Sequence, residues 1–398
     1  MSIEHSKVNL LSLFIARGLR SFAAGFLGVI IGLYLLNSLR LSPIIIGSLF
    51  AVGAFSTPAI SLLVGRLGDL YGRKLVLLVD MLTLPLGIII LMYTRNIILL
   101  AVSMAVGGFG MAGGLVGGGV GASVAPVLTA LLAENSDGEN RTKIYSLNSQ
   151  VNTFAGAGGA FVVSFFDYRQ LFLLALFFSI VSVLAVLPLE EKFKGTQKRE
   201  DARPLIFSDK DRTYIKAFAY TGLLNGVGMG LVSPFLPIIF NQFFRMSNGQ
   251  IGALMGIGGL VSGLVFSLTP YLSKRMGLLR LIIDTRAFAS ALTLAIPFSP
   301  SASIASVLYL LSTPLRMVSL PAQSSLQMSL LSERSRSTSS GINQAARQFP
   351  QAISTLITGA LINLLPLYVP FVIASVFNYA NIYVYHRFFG KIREANSA

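Results

Sequence analysis

Five arginines stand inside otherwise apolar segments of this 398-residue chain: Arg17, Arg20, Arg286, Arg316 and Arg347. Only two carboxylates share such segments, Asp80 and Asp284. A central Arg in a bilayer costs roughly 2.5–3.5 kcal/mol on insertion scales, so each one marks a function or a partner. A desolvated guanidinium is a planar fork of donors that grips carboxylate or phosphate bidentately. Arg17 and Arg20, at i and i+3, lie about 60° apart on one helix face, and Ala24 one turn on leaves space beside them. Asp80 suits Arg17 or Arg20 as a charge partner, and Asp284 suits Arg286, but two acids cannot serve five arginines. Asp80 is also the best candidate for energy coupling. Other chemistries are poorly supplied. Cys is 0, and the two histidines, His5 and His386, lie outside the apolar segments. Metal sites, nucleophile–base pairs and cofactors are therefore not expected, nor is an enzyme.

Further polar residues sit in the apolar segments as rows. Asn343, Arg347 and Gln351 follow one another at i, i+4 and i+8, and Asn148 and Asn152 form a similar pair. Asn225, Gln323 and Gln327 are more isolated, as are Tyr220 and Tyr309. Such residues either bond a neighbouring helix or meet a solute.

The elements that must position them follow from composition. Apolar residues make up 54% and charged residues 12%, about half the soluble norm of ~25%. Such a chain cannot cover a soluble core. A helix crossing ~30 Å of hydrocarbon needs about 20 apolar residues. Twelve segments qualify, near 9–36, 43–64, 75–93, 97–120, 144–166, 171–189, 214–240, 250–268, 279–297, 303–325, 340–362 and 367–388. The fold class is all-α, a polytopic membrane protein. Links as short as Thr94–Asn96 and Asp167–Gln170 make neighbours antiparallel. Of the 31 Lys and Arg, 22 fall on the side of the termini and 4 on the other, which places both termini in the cytoplasm. The net charge of +15 thus reflects basic loops rather than a nucleic-acid surface. No signal peptide is read at the N-terminus.

The longest hydrophilic stretch divides the chain into residues 1–189, a linker 190–213 and residues 214–398. The halves repeat. At an offset of 205, Gly25 maps to Gly230, Gly47 to Gly252, Gly53 to Gly258, Leu67 to Leu272 and Gly72 to Gly277. At 195, Pro126 maps to Pro321, Arg141 to Arg336 and Asn148 to Asn343. Two duplicated six-helix bundles are a transporter layout. The fourth span carries nine glycines between Gly107 and Gly121, suited to close packing or bending.

Between the second and third spans runs Gly65-Arg-Leu-Gly-Asp69-Leu-Tyr-Gly72-Arg73-Lys74. It resembles the signature loop of the major facilitator superfamily, with Leu70 in place of the usual Arg. Pro270-Tyr-Leu272-Ser-Lys274-Arg275-Met-Gly277 is a degraded copy. Ala130 to Arg141, including Glu134 and Glu139, resembles the family's loop between spans four and five. The resemblance covers essentially the whole chain. It implies that Gly65, Asp69, Gly72, Arg73 and Glu134 form a conformational latch, Arg73 pairing an acid such as Glu134. It implies that spans one, four, seven and ten line the solute path, making Arg17, Arg20, Arg316 and Asn225 solute-binding candidates. It places Asn148, Asn152, Asn343 and Arg347 at gates between the halves. An Arg in span four and a Gly-Pro pattern in span five, frequent in proton-driven drug exporters of the family, are missing.

The leading expectation is a monomeric secondary transporter in the cell membrane lipid bilayer. It moves a small solute, expected to be anionic, by alternating access, with no nucleic-acid partner. The second reading is an exporter of drugs or other hydrophobic compounds on the same fold, which 28 Phe would suit.

Overall fold

Helices begin where the sequence supplies a cap. Asn96 accepts hydrogen bonds from the amides of Ile98 and Leu99. Asp167 and Gln170 form a reciprocal capping box, and the Ser301 hydroxyl accepts from Ile304 N. Three short links are thereby turned into sharp helix starts. In this computed structural model the described residues are 3–111, 124–136, 141–191, 209–331 and 333–397. Among them no strand occurs, and the helices are sixteen: α1 (Ile3–Leu33), α2 (Pro43–Tyr71), α3 (Arg73–Met81), α4 (Thr83–Tyr93), α5 (Ile97–Gly107), α6 (Ala125–Glu134), α7 (Arg141–Val162), α8 (Tyr168–Leu184), α9 (Asp209–Val232), α10 (Leu236–Gln242), α11 (Asn248–Ser267), α12 (Thr269–Met276), α13 (Leu278–Ala295), α14 (Ala302–Leu330), α15 (Glu333–Leu364) and α16 (Tyr368–Ser397).

Seven helical stretches are long and apolar enough to cross a membrane, and two shorter ones, Ile97–Gly107 and Tyr168–Leu184, are apolar. The helices α7, α15 and α16 have sufficient length but carry more polar residues. Several expected spans are interrupted. The third is broken at Leu82 into α3 and α4, and the seventh passes through a 3-10 turn at Ser233–Phe235 into α10, next to Pro234 and Pro237. The fourth leaves α5 at Gly108, which is left-handed with φ 65°. Most of its expected glycine run, from Gly113 to Gly121, lies outside the described residues, as does most of the expected linker, 192–208.

The chain forms two compact units. The first comprises Met1–Leu41, Leu49–Glu200 and Leu236–Leu260, and the second Ser42–Ser48, Asp201–Phe235 and Val261–Ala398. In the first, Leu13, Leu77, Met81, Leu131 and Leu189 build a buried core toward the end bearing the Gly65–Lys74 loop. In the second, Phe218, Leu281, Ile282, Val318 and Phe389 do so.

The repeat extends to the backbone. Arg40 and Arg245, 205 apart, both adopt positive φ, 54° and 53°. Each follows a helix end closed by a bond spanning six residues, Leu41 N to Leu35 O at 3.0 Å and Met246 N to Phe240 O at 3.1 Å. Gly72 and Gly277 share positive φ, 101° and 79°, at the starts of α3 and α13. Helix pairing repeats too. A Cβ on Gly25 of α1 would lie 2.0 Å from Gly156 O of α7, and a Cβ on Gly230 of α9 would lie 2.2 Å from Gln351 O of α15. These contacts need the missing side chain, because only glycine lets two backbones approach so closely.

Candidate functional site

In the first unit the site begins with a proline. Pro85 of α4 has no N–H to give the carbonyl four residues earlier, which is Met81 O. That carbonyl instead accepts a hydrogen bond from Arg20 Nη1 at 3.2 Å. The helix break at Leu82 therefore supplies the acceptor that a buried guanidinium needs. Arg20 is 3% exposed and Asp80 2% exposed, and the two act on each other electrostatically. Arg17 also lies within electrostatic reach of Arg20. The Arg17 Nε is buried without a partner among the described residues, and so is Asn148 Oδ1. Ser21 donates to Asn152 Oδ1 at 2.8 Å, which fixes the register of α1 against α7. One turn before that bond, Arg17 stands level with Asn148.

In the second unit four helices converge on a small cavity lined by Asn225 (α9), Arg286, Ala289 and Ser290 (α13), Arg316 (α14) and Asn378 (α16). Arg316 Nη2 donates to Asn225 Oδ1 at 3.2 Å. Arg286 is held on every side. Its Nε donates to Ser319 Oγ at 3.1 Å, its Nη1 to Asn381 Oδ1 at 2.8 Å and its Nη2 to Gln323 Oε1. Its guanidinium stands 5.0 Å from the centre of the Tyr385 ring. Asn381 in turn donates to Thr221 O at 2.7 Å, and Asn343 donates to Phe218 O while accepting from Gln323 Nε2 at 3.3 Å. This network ties α13, α14, α15 and α16 to carbonyls of α9. Arg347 lies within electrostatic reach of Arg286, and its Nε is buried without a partner among the described residues.

Asp284 does not serve Arg286. It is 37% exposed and accepts from Arg280 Nε at 3.4 Å. Residues two apart on a helix face away from each other, whereas residues four apart meet. Among the weaker candidates, Tyr309 and Gln327 are buried, and Tyr220 is exposed.

The signature loop forms a third cluster, in the first unit. Arg73 Nη1 donates to Glu134 Oε1, forming an ion pair. Gly65 and Asp69 lie in the last turns of α2, and the side chain of Asp69 lies outside the described residues. Glu191, at the start of the expected linker 190–213, caps α3: its carboxylate accepts from Arg73 N and from Lys74 N, the latter at 3.2 Å. A Cβ on Gly72 would lie 3.0 Å from that carboxylate. Lys74 Nζ donates to Leu187 O at 2.8 Å. Beside this cap, Asn9 Nδ2 donates to Asn135 Oδ1 and to Glu190 O, each at 2.9 Å, and Asn9 Oδ1 accepts from Glu190 N at 3.0 Å. A carboxylate on two free amides of a helix start stabilises it through hydrogen bonds and the helix dipole. Glu191→Ala is accordingly expected to destabilise the protein by about 1–2 kcal/mol. Thermal unfolding of the purified protein checks this, and an unchanged midpoint would show that the cap contributes nothing.

No curated protein sequence matches the chain significantly. Among solved structures it resembles the nucleoside transporter NupG, at 15% identity over 98% of this chain and 99% of that one, with a TM-score of 0.72. It resembles a bacterial homologue of the human lysosomal transporter Spinster at 13% identity, covering 98% and 99% of the two chains, with a TM-score of 0.76. It also resembles the human organic anion transporter MFSD10, at 15% identity and 96% and 99% coverage, with a TM-score of 0.67. These likenesses concern the fold. The sequence model of the Major Facilitator Superfamily matches residues 13–355, so this multi-pass membrane protein belongs to that superfamily of transporters.

Proposed function

We propose that this superfamily member moves a small solute bearing an anionic group across the cell membrane by alternating access, with both termini cytoplasmic. One observation carries the reading: among the described residues of the apolar segments, five arginines stand against two carboxylates, Asp80 and Asp284. Arg20 has Asp80 for company, but Arg286 is held by neutral acceptors, Arg316 by an amide, and Asp284 is turned away to Arg280. Positive charge in a low-dielectric setting favours an anion and repels lipophilic cations. The solved relatives include a transporter described as acting on organic anions and another on nucleosides.

In this reading Arg17, Arg20, Arg316 and Asn225 bind the solute. Residues 1–189 and 214–398 are the two rocking halves, joined by 190–213, and the working unit is a monomer. Arg73 and Glu134, with Gly65, Asp69 and Gly72, latch one conformation. Asn148, Asn152, Asn343 and Arg347 serve as gate residues. Asp80, the buried acid beside Arg20, is the coupling candidate.

The test is uptake into proteoliposomes of small mono- and dicarboxylates, organophosphates, nucleosides and lipophilic cations. Wild type is expected to accumulate or exchange at least one anion, and Arg316→Ala to lower that rate by roughly tenfold or more, the loss of one charged hydrogen-bonding group. Transport of lipophilic compounds alone, unaffected by Arg316→Ala, would replace this reading with that of a hydrophobic-compound exporter.

A further inference from the structure

Resting on the anionic-solute reading but narrower than it, we propose that the second unit holds a self-sufficient subsite for one small anion. Its walls are Arg316, Asn225, Arg286, Ser290 and Asn378. Three of these, Arg286, Ser290 and Asn378, come from α13 and α16, helices outside the expected solute path.

No carboxylate lines this cavity among the described residues, yet two guanidiniums do. Arg286 and Arg316 interact as like charges, and Arg347 adds a third. Each bond that Arg286 makes goes to a neutral acceptor, so its orientation is fixed while its charge stays uncompensated. Arg316 spends one N–H on Asn225 Oδ1. That bond fixes the Asn225 amide at the cavity wall, where its NH₂ is a further donor. Asn378, buried at the cavity wall, adds a second side-chain amide with an NH₂ donor. Ser290, 4% exposed, contributes a hydroxyl. Donors from four helices thus meet around an opening with no acid of its own. A cation would find no acceptor charge here. A halide, or the carboxylate head of a solute, would find guanidinium, amide and hydroxyl donors together.

The test uses the full-length purified protein and follows thermal unfolding while sodium chloride or sodium acetate replaces sodium Hepes at constant ionic strength. A ligand that binds only the folded state raises the midpoint saturably. Saturable stabilisation is expected from at least one of the two anions. Chloride alone identifies a resident inorganic ion, and acetate alone identifies the seat of a solute carboxylate. Arg316→Gln and Asn378→Leu are expected to weaken the apparent affinity by roughly tenfold or more, the loss of a charge-assisted contact or a buried donor. Ser290→Ala, a milder change that keeps the backbone and packing, should weaken it by about threefold. Arg212→Gln, at an exposed position in the first turn of α9 away from the cavity, should leave it unchanged. Absence of saturable stabilisation in wild type, equal stabilisation in every variant, or its loss in Arg212→Gln would each overturn the subsite. Anion uptake by the same wild-type preparation separates the two claims. Uptake without saturable stabilisation removes the subsite and leaves the transport reading standing, whereas stabilisation without uptake of any anion does the reverse.

Discussion

Arg20→Ala is expected to destabilise the first unit by about 3–5 kcal/mol, the cost of leaving a buried charge without its counter-charge. The stranded group is Asp80, 2% exposed and electrostatically coupled to Arg20. The carbonyl of Met81 would also lose its donor, and Pro85 prevents the helix from supplying another. The double substitution Arg20→Met with Asp80→Asn removes both charges in similar volume. It is expected to recover most of the lost stability, because a buried pair replaced by neutral groups is often close to neutral. Transport should not recover in the double variant if Arg20 binds solute. Unfolding midpoints and proteoliposome uptake, measured on the two singles and the double, give the coupling between the sites directly. A single Arg20→Ala protein as stable as wild type would show that the pair is not a structural unit. Wild-type uptake by the double variant would confine Arg20 to a structural role.

The other large effect concerns helix approach. Gly25→Ala and Gly159→Ala are each expected to cost about 3 kcal/mol, the upper end of the range for overpacking a closely fitted interior. A Cβ at either position would lie 2.0 Å from a backbone carbonyl, Gly156 O in one case and Phe22 O in the other. Backbone cannot rotate aside as a side chain can, so α1 and α7 would have to separate. Gly158, the neighbour of Gly159, is the control. Its Cβ would meet the Phe22 ring at 3.7 Å, an ordinary contact, and alanine is the better helix former. Gly158→Ala is therefore expected to leave the midpoint unchanged or raise it slightly. Monodisperse yield and unfolding temperature in detergent measure all three. Equal behaviour of Gly158→Ala and Gly159→Ala would show that the helices are not in the described contact.

The architecture was legible because a bilayer leaves so few choices. Apolar length, loop charge and the repeated glycines led to a duplicated helical bundle, and Gly25 and Gly230 do occupy matching helix contacts. Arg40 and Arg245 repeat with the same spacing, but arginine at positive φ announces nothing through its residue type, so this second mark of duplication stayed hidden. Pro85 could have been read: a proline four residues after Met81 frees a carbonyl, and an arginine in a facing span is a natural donor. Asp284 and Arg286 could also have been separated beforehand, since residues at i and i+2 diverge around a helix. Glu191, Asn378 and Asn381 are a different matter. Their roles depend on contacts across 95 to 160 residues of chain, and nothing local distinguishes a capping glutamate from a solvated one at the start of a linker.

The grip of Glu191 on the signature loop and of Glu190 on Asn9 has a consequence for the order in which the protein can be made. Lys74, Arg73 and Asn9 leave the ribosome early, but the groups that satisfy them lie more than a hundred residues later. Until residue 191 has been synthesised, the start of α3 has no carboxylate to cap it and Asn9 has no peptide to bond. A nascent chain stopped at Leu189 would carry six apolar segments and still lack the clasp that closes their basic end, whereas two more residues would complete it. In biosynthesis those two glutamates belong to the bundle that precedes them, as its last stitch, rather than to the connection that follows.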